Sequence, residues 1–344
     1  MGIMSPKLIL IIVISVAILV LSGIWIKGAF FREEVKVLNW DRENSTISPV
    51  VQEWFIRRHS FINDSSKEIS QFVMSLYDEN EFKVTKNSQP SLEATYYGIE
   101  ALQTVGSLSK ISNPEAMFNK IRSYYVSPGY FLEKDKDPVF STGQALRVDR
   151  WYQEDLGKTI DLDWLKSNSI ENKNLEQDKF DPEYQSAVVE TYRHLEIPEK
   201  PKKLEEISYP YFDYYCNFKP PEGISDSDYL KTKHYQISLI SSLSGISNVN
   251  NLSGCLKTED VKADKERLSK IQFEDLNDIK QVYWLYYLKK FYNLRPRQSE
   301  QFFSYLENIF KKVKQFYSDG GFKEKLSDKE PGLIGTYYGI LFIK

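Results

Sequence analysis

From residue 49 onward, apolar positions recur at helical spacing. Val50, Val51, Trp54 and Phe55 fit one helix face, as do Ile69, Phe72, Val73 and Leu76. Strand-like alternation is scarce and no Asn-Gly pair marks a hairpin, so the pattern predicts an all-α body. Upstream, residues 27–48 are charged and polar and read as a linker. Before them, Leu8–Ile26 runs for 19 residues without a charge and ends beside Trp25, as a membrane-spanning helix does. The run is long for the core of a cleaved signal, and Ala-x-Ala is absent, so an uncleaved single-pass anchor at 1–26 is preferred to a signal peptide. Lys27, Arg32 and Lys36 slightly favour a cytoplasmic body by the positive-inside rule. A short tail followed by one anchor more often leaves the body outside, and that extracytoplasmic placement is the expectation.

The helical region repeats. "PSLEATYYGIEAL" at 90–102 and "EPGLIGTYYGILF" at 330–342 share Pro, Leu, Thr, Tyr, Tyr, Gly and Ile at one spacing, 241 residues apart. A search for a shorter period adds weaker starts at Pro138, Pro182, Asp228 and Glu274, giving six copies of a unit of roughly 46 residues. Each copy begins with a polar turn, often with Pro or Asp where a helix starts, and continues as an apolar-periodic helix. Leu92, Tyr96, Ile99 and Leu102 share a face in the first copy, and Leu276, Ile279, Tyr283 and Tyr286 in the fifth. Amphipathic helices lie between copies, at Pro114–Tyr125, Glu259–Ile271 and Gln298–Tyr317. Helix pairs repeated in this way cannot each bury a face alone, so they must stack, as an open solenoid or a closed ring.

Composition adds little and excludes some classes. Aromatic residues make up 14% of the chain, including 23 Tyr, which points to a ring-rich core or pocket. The formal charge of −3, with lysines spread among acids, argues against a nucleic-acid partner. The two cysteines, Cys216 and Cys255, are too few for a disulfide scaffold. They would pair only outside the cytoplasm and only if their Cα atoms came close, so a bridge is not expected.

The stretch "SDGGFKEKLSDKEPGLIGTYYGILFI" resembles the repeat of the protein prenyltransferase β-subunits and the squalene or terpene cyclases, with its Gly-Gly-Phe turn, polar loop and Pro-x-Leu-x-x-Thr-Tyr-Tyr helix start. "ENEFKVTKNSQPSLEATYYGIEAL" keeps the Phe and the helix, and "PGYFLEKDKDPVFSTGQAL" keeps Gly129, Phe131 and Pro138. The resemblance implies an α/α toroid over 49–344, with inner helices around a central cavity and outer helices around those. In it, Gly320 and Gly321 are expected to end the outer helix, and the first and last inner helices are neighbours.

The family's chemistry is not retained. The cyclases' Asp-x-Asp-Asp is reduced to "DLDW" with Asp161 and Asp163, more simply a solvated helix start. The prenyltransferases' Asp-x-Cys zinc motif is absent, and Cys216 with His234 makes a poor substitute, so no metal or other cofactor is expected. No phosphate loop, Gly-x-Ser-x-Gly or His-Glu-x-x-His occurs. Candidate cavity-lining residues are Tyr96, Tyr97, Glu93, Asp149, Glu190, His234, Tyr337 and Tyr338, with Arg147, Arg150 and Arg193 as companions. Their chemistry suits an isoprenoid, a lipid tail or a sugar face. The reading is therefore a membrane-anchored, non-catalytic toroid that binds a ligand or protein through its cavity or rim. The alternative is an enzyme acting on isoprenoids or glycans in that cavity.

Overall fold

The structure, a computed structural model, describes residues 49–127, 129–152, 156–161, 163–164, 215–246, 255–296 and 299–343. The predicted anchor, the linker and the repeat copy at Pro182 lie outside these residues. Among the described residues no helix is long and apolar enough to cross a membrane.

The body is mostly helical. Helix α1 (Pro49–Ser75) leads through β1 (Tyr77–Asp78), β2 (Glu81–Lys83) and β3 (Pro90–Ser91) into α2 (Leu92–Thr104). Then come α3 (Pro114–Arg122), β4 (Tyr125–Val126), β5 (Tyr130–Phe131) and α4 (Pro138–Tyr152). Beyond the undescribed stretch lie α5 (Asp226–Ile246), α6 (Thr258–Lys270), α7 (Ile279–Phe291) and α8 (Ser299–Lys314). The chain ends through β6 (Tyr317–Ser318) and β7 (Gly321–Phe322) in α9 (Leu333–Ile343). Helices α3, α6 and α8 are the amphipathic connectors predicted between copies, each within a few residues of its expected ends.

Short hairpins, which the alternation pattern did not signal, join α1 to α2, α3 to α4 and α8 to α9. Tyr77 pairs with Phe82, Tyr125 with Phe131 and Tyr317 with Phe322. With strands this short, their signature is turn chemistry. Glu79 and Asn80 (φ 49° and 69°) match Asp319 and Gly320 (φ 48° and 79°), the two left-handed residues of a type I′ turn. Gly320 and Gly321 therefore do not end the outer helix, which stops at Lys314. Gly320 turns the hairpin, and Gly321 leaves room for the Phe72 ring.

Each hairpin is latched to the helix that follows by the same hydroxyl. The N–H of Phe82 donates to Thr95 Oγ1 at 3.1 Å, that of Phe131 to Thr142 Oγ1 at 3.0 Å and that of Phe322 to Thr336 Oγ1 at 2.9 Å. Each threonine donates in turn to the carbonyl four residues back, at Ser91, Pro138 or Gly332. The three phenylalanines are shut off from solvent. A Cβ on Gly98 or Gly339 would overlap the ring of Phe82 or Phe322. The glycine of "TYYG" is thus the seat of the hairpin phenylalanine. The latch also sets the register: Val139 rather than Phe140 corresponds to Leu92, and both are buried.

Five helices pack in the series α5, α7, α9, α2, α4, so the last copy lies against the first. Helix α1 covers α2, α8 and α9, while α6 and α8 lie on α7. Adjacent copies are joined at one point. The N–H of Ile279, first in α7, donates to the carbonyl of Glu324 at 2.9 Å. That of Leu333, first in α9, donates to the carbonyl of Val84 at 2.8 Å. That of Leu92, first in α2, donates to Glu133 Oε1 at 3.0 Å. Glu324, Val84 and Glu133 each stand two residues after the hairpin phenylalanine of the next copy. The bond from last copy to first is made like its neighbours. It also corrects the fifth copy, where Ile279, not Leu276, corresponds to Leu92.

Helix α5 is held differently. Lys233 and Gln236 stand where the two terminal copies have threonine and glycine. Lys233 pairs with the buried Asp264 at 2.8 Å, and Asp264 also accepts from Tyr229 and Tyr292 at 2.7 Å each. Gln236 Nε2 donates to the carbonyls of Tyr215 and Phe218. Contrary to expectation, Cys216 and Cys255 form a disulfide, their Cα atoms 4.7 Å apart. A helical turn before α5 and a turn beyond it bring them together, a proximity that spacing alone could not reveal.

The latch predicts an asymmetric pair of substitutions. Thr336→Val keeps the shape but strands the buried Phe322 N–H, and is expected to cost about 1–3 kcal/mol in chemical denaturation. Thr336→Ser keeps the hydroxyl and should cost less than half as much.

Candidate functional site

Aligned on the latch threonines, five helices carry a residue pair at equivalent positions, and four of those pairs bring rings together. In register, the pairs are Tyr96–Tyr97 on α2, Gly143–Gln144 on α4, His234–Tyr235 on α5, Tyr283–Trp284 on α7 and Tyr337–Tyr338 on α9. The rings meet in an unbroken path. Tyr96 lies 5.1 Å from Tyr97, Tyr97 5.1 Å from Tyr337, and Tyr337 5.3 Å from Tyr338, between centroids. Tyr338 then lies 5.5 Å from Tyr283, and Tyr283 5.6 Å from His234. Tyr287 stands edge-on to His234 at 4.7 Å. Tyr338 also hydrogen-bonds Tyr235, although α7 lies between α9 and α5 in the series, so the side chains converge from separate helices. Arg147 of α4 lies over the Tyr96 ring at 5.0 Å.

The layer is polar at its tips, and the Arg147 guanidinium is a charge set against it. Burial pushes the phenols of Tyr97, Tyr337 and Tyr338 well above the ordinary tyrosine range, and neighbouring phenols or carboxylates add to the effect. Tyr283 is pushed up to about 12, again mainly by burial. Burial lowers His234 to about 3, so its ring is neutral at physiological pH. Yet Tyr96, Tyr97, Tyr283 and Tyr337 all keep part of their surface accessible. These rings are deeply set but not fully packed, and their hydroxyls are donors and acceptors among aromatic faces.

The predicted candidates divide. Tyr96, Tyr97, Tyr337, Tyr338 and His234 come together in the layer. Glu93 sits in the first turn of α2 and pairs with Lys136 at 3.2 Å. Asp149 accepts the N–H of Leu156 at 2.9 Å, capping the short 3₁₀ turn Leu156–Thr159. Arg150 pairs with Glu100, which also accepts from the Trp151 indole at 2.7 Å. Glu190 and Arg193 lie outside the described residues. Asp161 accepts the N–H groups of Asp163 and Trp164, a helix-start role. Cys216, being disulfide-bonded, offers no thiolate to a metal. No group of three or more His, Cys, Asp or Glu able to hold a metal ion occurs among the described residues.

Tyr235, Tyr283, Tyr287 and Trp284 belong to the layer and were not predicted. The signal was present: "HY" at 234–235 and "YW" at 283–284 occupy the place of "YY" in the terminal copies. Reading it required the fifth copy to be aligned on Ile279. Compared with family models, curated proteins and solved structures, the chain matches none.

The depressed His234 pKa has a consequence for acid stability. Between pH 6.5 and about 3, the unfolded chain takes up a proton here that the folded chain refuses. Stability therefore falls as pH falls through that window. His234→Phe should flatten the acid limb of the stability curve by up to about 1.4 kcal/mol per pH unit. Denaturant titrations of both proteins at matched pH values check this, and parallel limbs would put the ring in water.

Proposed function

We propose that the chain is a closed α/α toroid of six helical hairpins, tethered to a membrane by residues 8–26, that holds an uncharged ligand with an apolar body in its centre without chemically converting it. The observation that carries this reading is the convergence of tyrosines from separate inner helices on one layer that keeps accessible surface. Closure is supported by the seam, where last and first copies share the N–H link found between other neighbours.

The resemblance to prenyltransferase β-subunits and terpene cyclases is kept at the level of the repeat alone. Their acid and zinc motifs are absent from the sequence. Glu93 and Glu100, carboxylates near the tyrosines, are engaged by Lys136 and by Trp151 with Arg150. The carboxyls raised by desolvation among the described residues, Glu81, Glu133 and Asp278, accept from the Tyr124 hydroxyl, the Leu92 N–H and the Lys280 N–H. An isoprenoid- or glycan-processing enzyme thus gains no specific support. Tyrosine faces with neutral hydroxyls suit an isoprenoid or lipid chain bearing a small polar group.

The disulfide supports an extracytoplasmic body, because such bridges persist in oxidising compartments. Thiol trapping on intact cells should find Cys216 and Cys255 oxidised. The Cys216→Ser/Cys255→Ser double variant should lose about 2–4 kcal/mol in denaturation. Reduced thiols in the cell would place the body inside.

For the ligand, native mass spectrometry of the full chain in mild detergent should show a co-purifying uncharged lipid or isoprenoid. Tyr97→Trp, which adds bulk to the layer, should lose that adduct while keeping the thermal midpoint within a few degrees. A chain that carries no adduct, and whose midpoint isoprenoid alcohols and neutral lipids leave unmoved, would overturn the reading.

A further inference from the structure

Among the described joints between copies, one differs in the chemistry of its acceptor. The N–H groups of Ile279 and Leu333 donate to main-chain carbonyls, of Glu324 and Val84, whose charge no change of pH alters. Between the first and second copies the Leu92 N–H donates instead to a side-chain carboxylate, Glu133 Oε1, at 3.0 Å. A second carboxylate lies at the same joint. Glu81, on β2, is 2% exposed. Its two oxygens share one hydroxyl donor, Tyr124 just beyond α3, at 2.8 and 2.9 Å. Lys120 Nζ stands 3.6 Å from Glu81, too far for a hydrogen bond, and its side chain is 40% exposed. Burial, then Glu81, then Glu133 push the Tyr124 phenol up, so it stays a neutral donor facing both acids.

The charges around this pair do not balance. The first copy contributes Glu79 from the hairpin turn and Glu93 from the first turn of α2, with the neutral phenol of Tyr77 on β1. Lys120 faces the pair from α3. Lys136 faces it from the loop before α4, and is held by Glu93 at 3.2 Å. Glu79, Glu81, Glu93 and Glu133 therefore meet only Lys120 and Lys136. Burial first, and then the neighbouring acids, hold Glu81 and Glu133 above the ordinary glutamate range against the opposing hydrogen bonds and lysines.

We propose that the joint between the first two copies is a proton-sensitive clasp, in which Glu81 and Glu133 together take up one proton from solvent as the surroundings acidify from neutrality, and the uptake tightens α2 against the second hairpin and α4. On Glu133 the proton goes to Oε2, so Oε1 keeps the Leu92 N–H while the repulsion across the joint falls by one charge. The unfolded chain releases this proton near the ordinary glutamate value of about 4.3, and the folded chain holds it to higher pH. The added stability is complete below about pH 4.3 and is lost as pH rises through the folded value. His234 acts with the opposite sign. Because α2 carries Tyr96 and Tyr97, the clasp makes the packing on that side of the layer answer to the pH outside the chain. It needs no ligand and is independent of the central-ligand reading.

Carboxyl ¹³C titration of the full chain in detergent micelles, with Glu81 and Glu133 assigned through backbone-correlated spectra, reads the proton. At least one midpoint of the coupled pair should lie about a unit or more above the ordinary value of about 4.3. Hydrogen exchange at the Leu92 amide, corrected for its intrinsic pH dependence, reads the joint. Its protection should rise as pH falls through the titration, by up to about tenfold per pH unit. Glu133→Gln keeps an acceptor for Leu92 without the charge. It should raise the folded-to-unfolded ratio near neutral pH in denaturant titrations, lose that advantage as pH falls toward about 4.3, and flatten the Leu92 response. Glu133→Ala strands the N–H and should be less stable than Glu133→Gln at every pH. Both carboxyls titrating at or below about 4.3, Leu92 protection that ignores pH, or a Gln variant offset from wild type by one constant amount would overturn the clasp. The wild-type titration and exchange decide it even where a variant fails to fold.

Discussion

A buried threonine hydroxyl ties each hairpin to its helix, and much of the architecture depends on it. The hydroxyl has one proton and two lone pairs. The proton goes to the carbonyl four residues back, and a lone pair takes the N–H of the hairpin phenylalanine, at Thr95, Thr142 and Thr336 alike. With both directions used, the hairpin sits over the first turn of the helix at one angle only. In the two terminal copies the phenylalanine ring then lands where a Cβ would stand, which explains Gly98 and Gly339. The residue two past that phenylalanine reaches the next helix start. Local hydrogen bonding at one side chain thereby becomes the link between copies.

Helix α5 tests this account, because it lacks the device. Lys233 cannot accept an amide N–H while protonated, and Gln236 fills the space a phenylalanine would take. What replaces the latch is heavier: a buried ion pair whose carboxylate takes three donors, an amide bridging two carbonyls, and a disulfide closing 39 residues. Burying Lys233 and Asp264 has a large desolvation cost, and full hydrogen bonding of Asp264 is what makes it tolerable. Freed from the threonine rule, this copy presents an imidazole where α2, α7 and α9 present tyrosine and α4 presents glycine.

Much of the helical framework was legible from the chain. Connector helices emerged from amphipathic spacing, while the adjacency of the terminal copies came only as an implication of the resemblance to a ring-closing repeat. The hairpins did not, because strands of two or three residues carry no alternation; their mark is a pair of left-handed residues, and only Gly320 advertises that. The disulfide did not, because it depends on where two loops return. The tyrosine pairs were legible as candidates, but Glu93 and Asp149 were not separable from them, since a carboxylate that caps a turn or meets a lysine looks the same in sequence as one that faces the layer. Trp284 stayed hidden behind an alignment that slipped at Leu276, where the latch threonine that would have fixed the register is replaced by Val282.

The site and the seam are physically one object. Tyr96–Tyr97 and Tyr337–Tyr338 are 241 residues apart in sequence, yet Tyr97 and Tyr337 stand 5.1 Å apart because α9 lies on α2. Anything that loosens that contact takes the layer apart. The converse follows from linkage: a molecule that touches tyrosines on both helices binds only when they are together, and so stabilises their union in proportion to its concentration over its dissociation constant. Local opening should begin at this seam, since it joins the segments most distant along the chain and nothing covalent holds it. The central layer is thus placed where a ligand has the most structure to gain by binding, and where its loss would be felt first in the packing of α9 against α2.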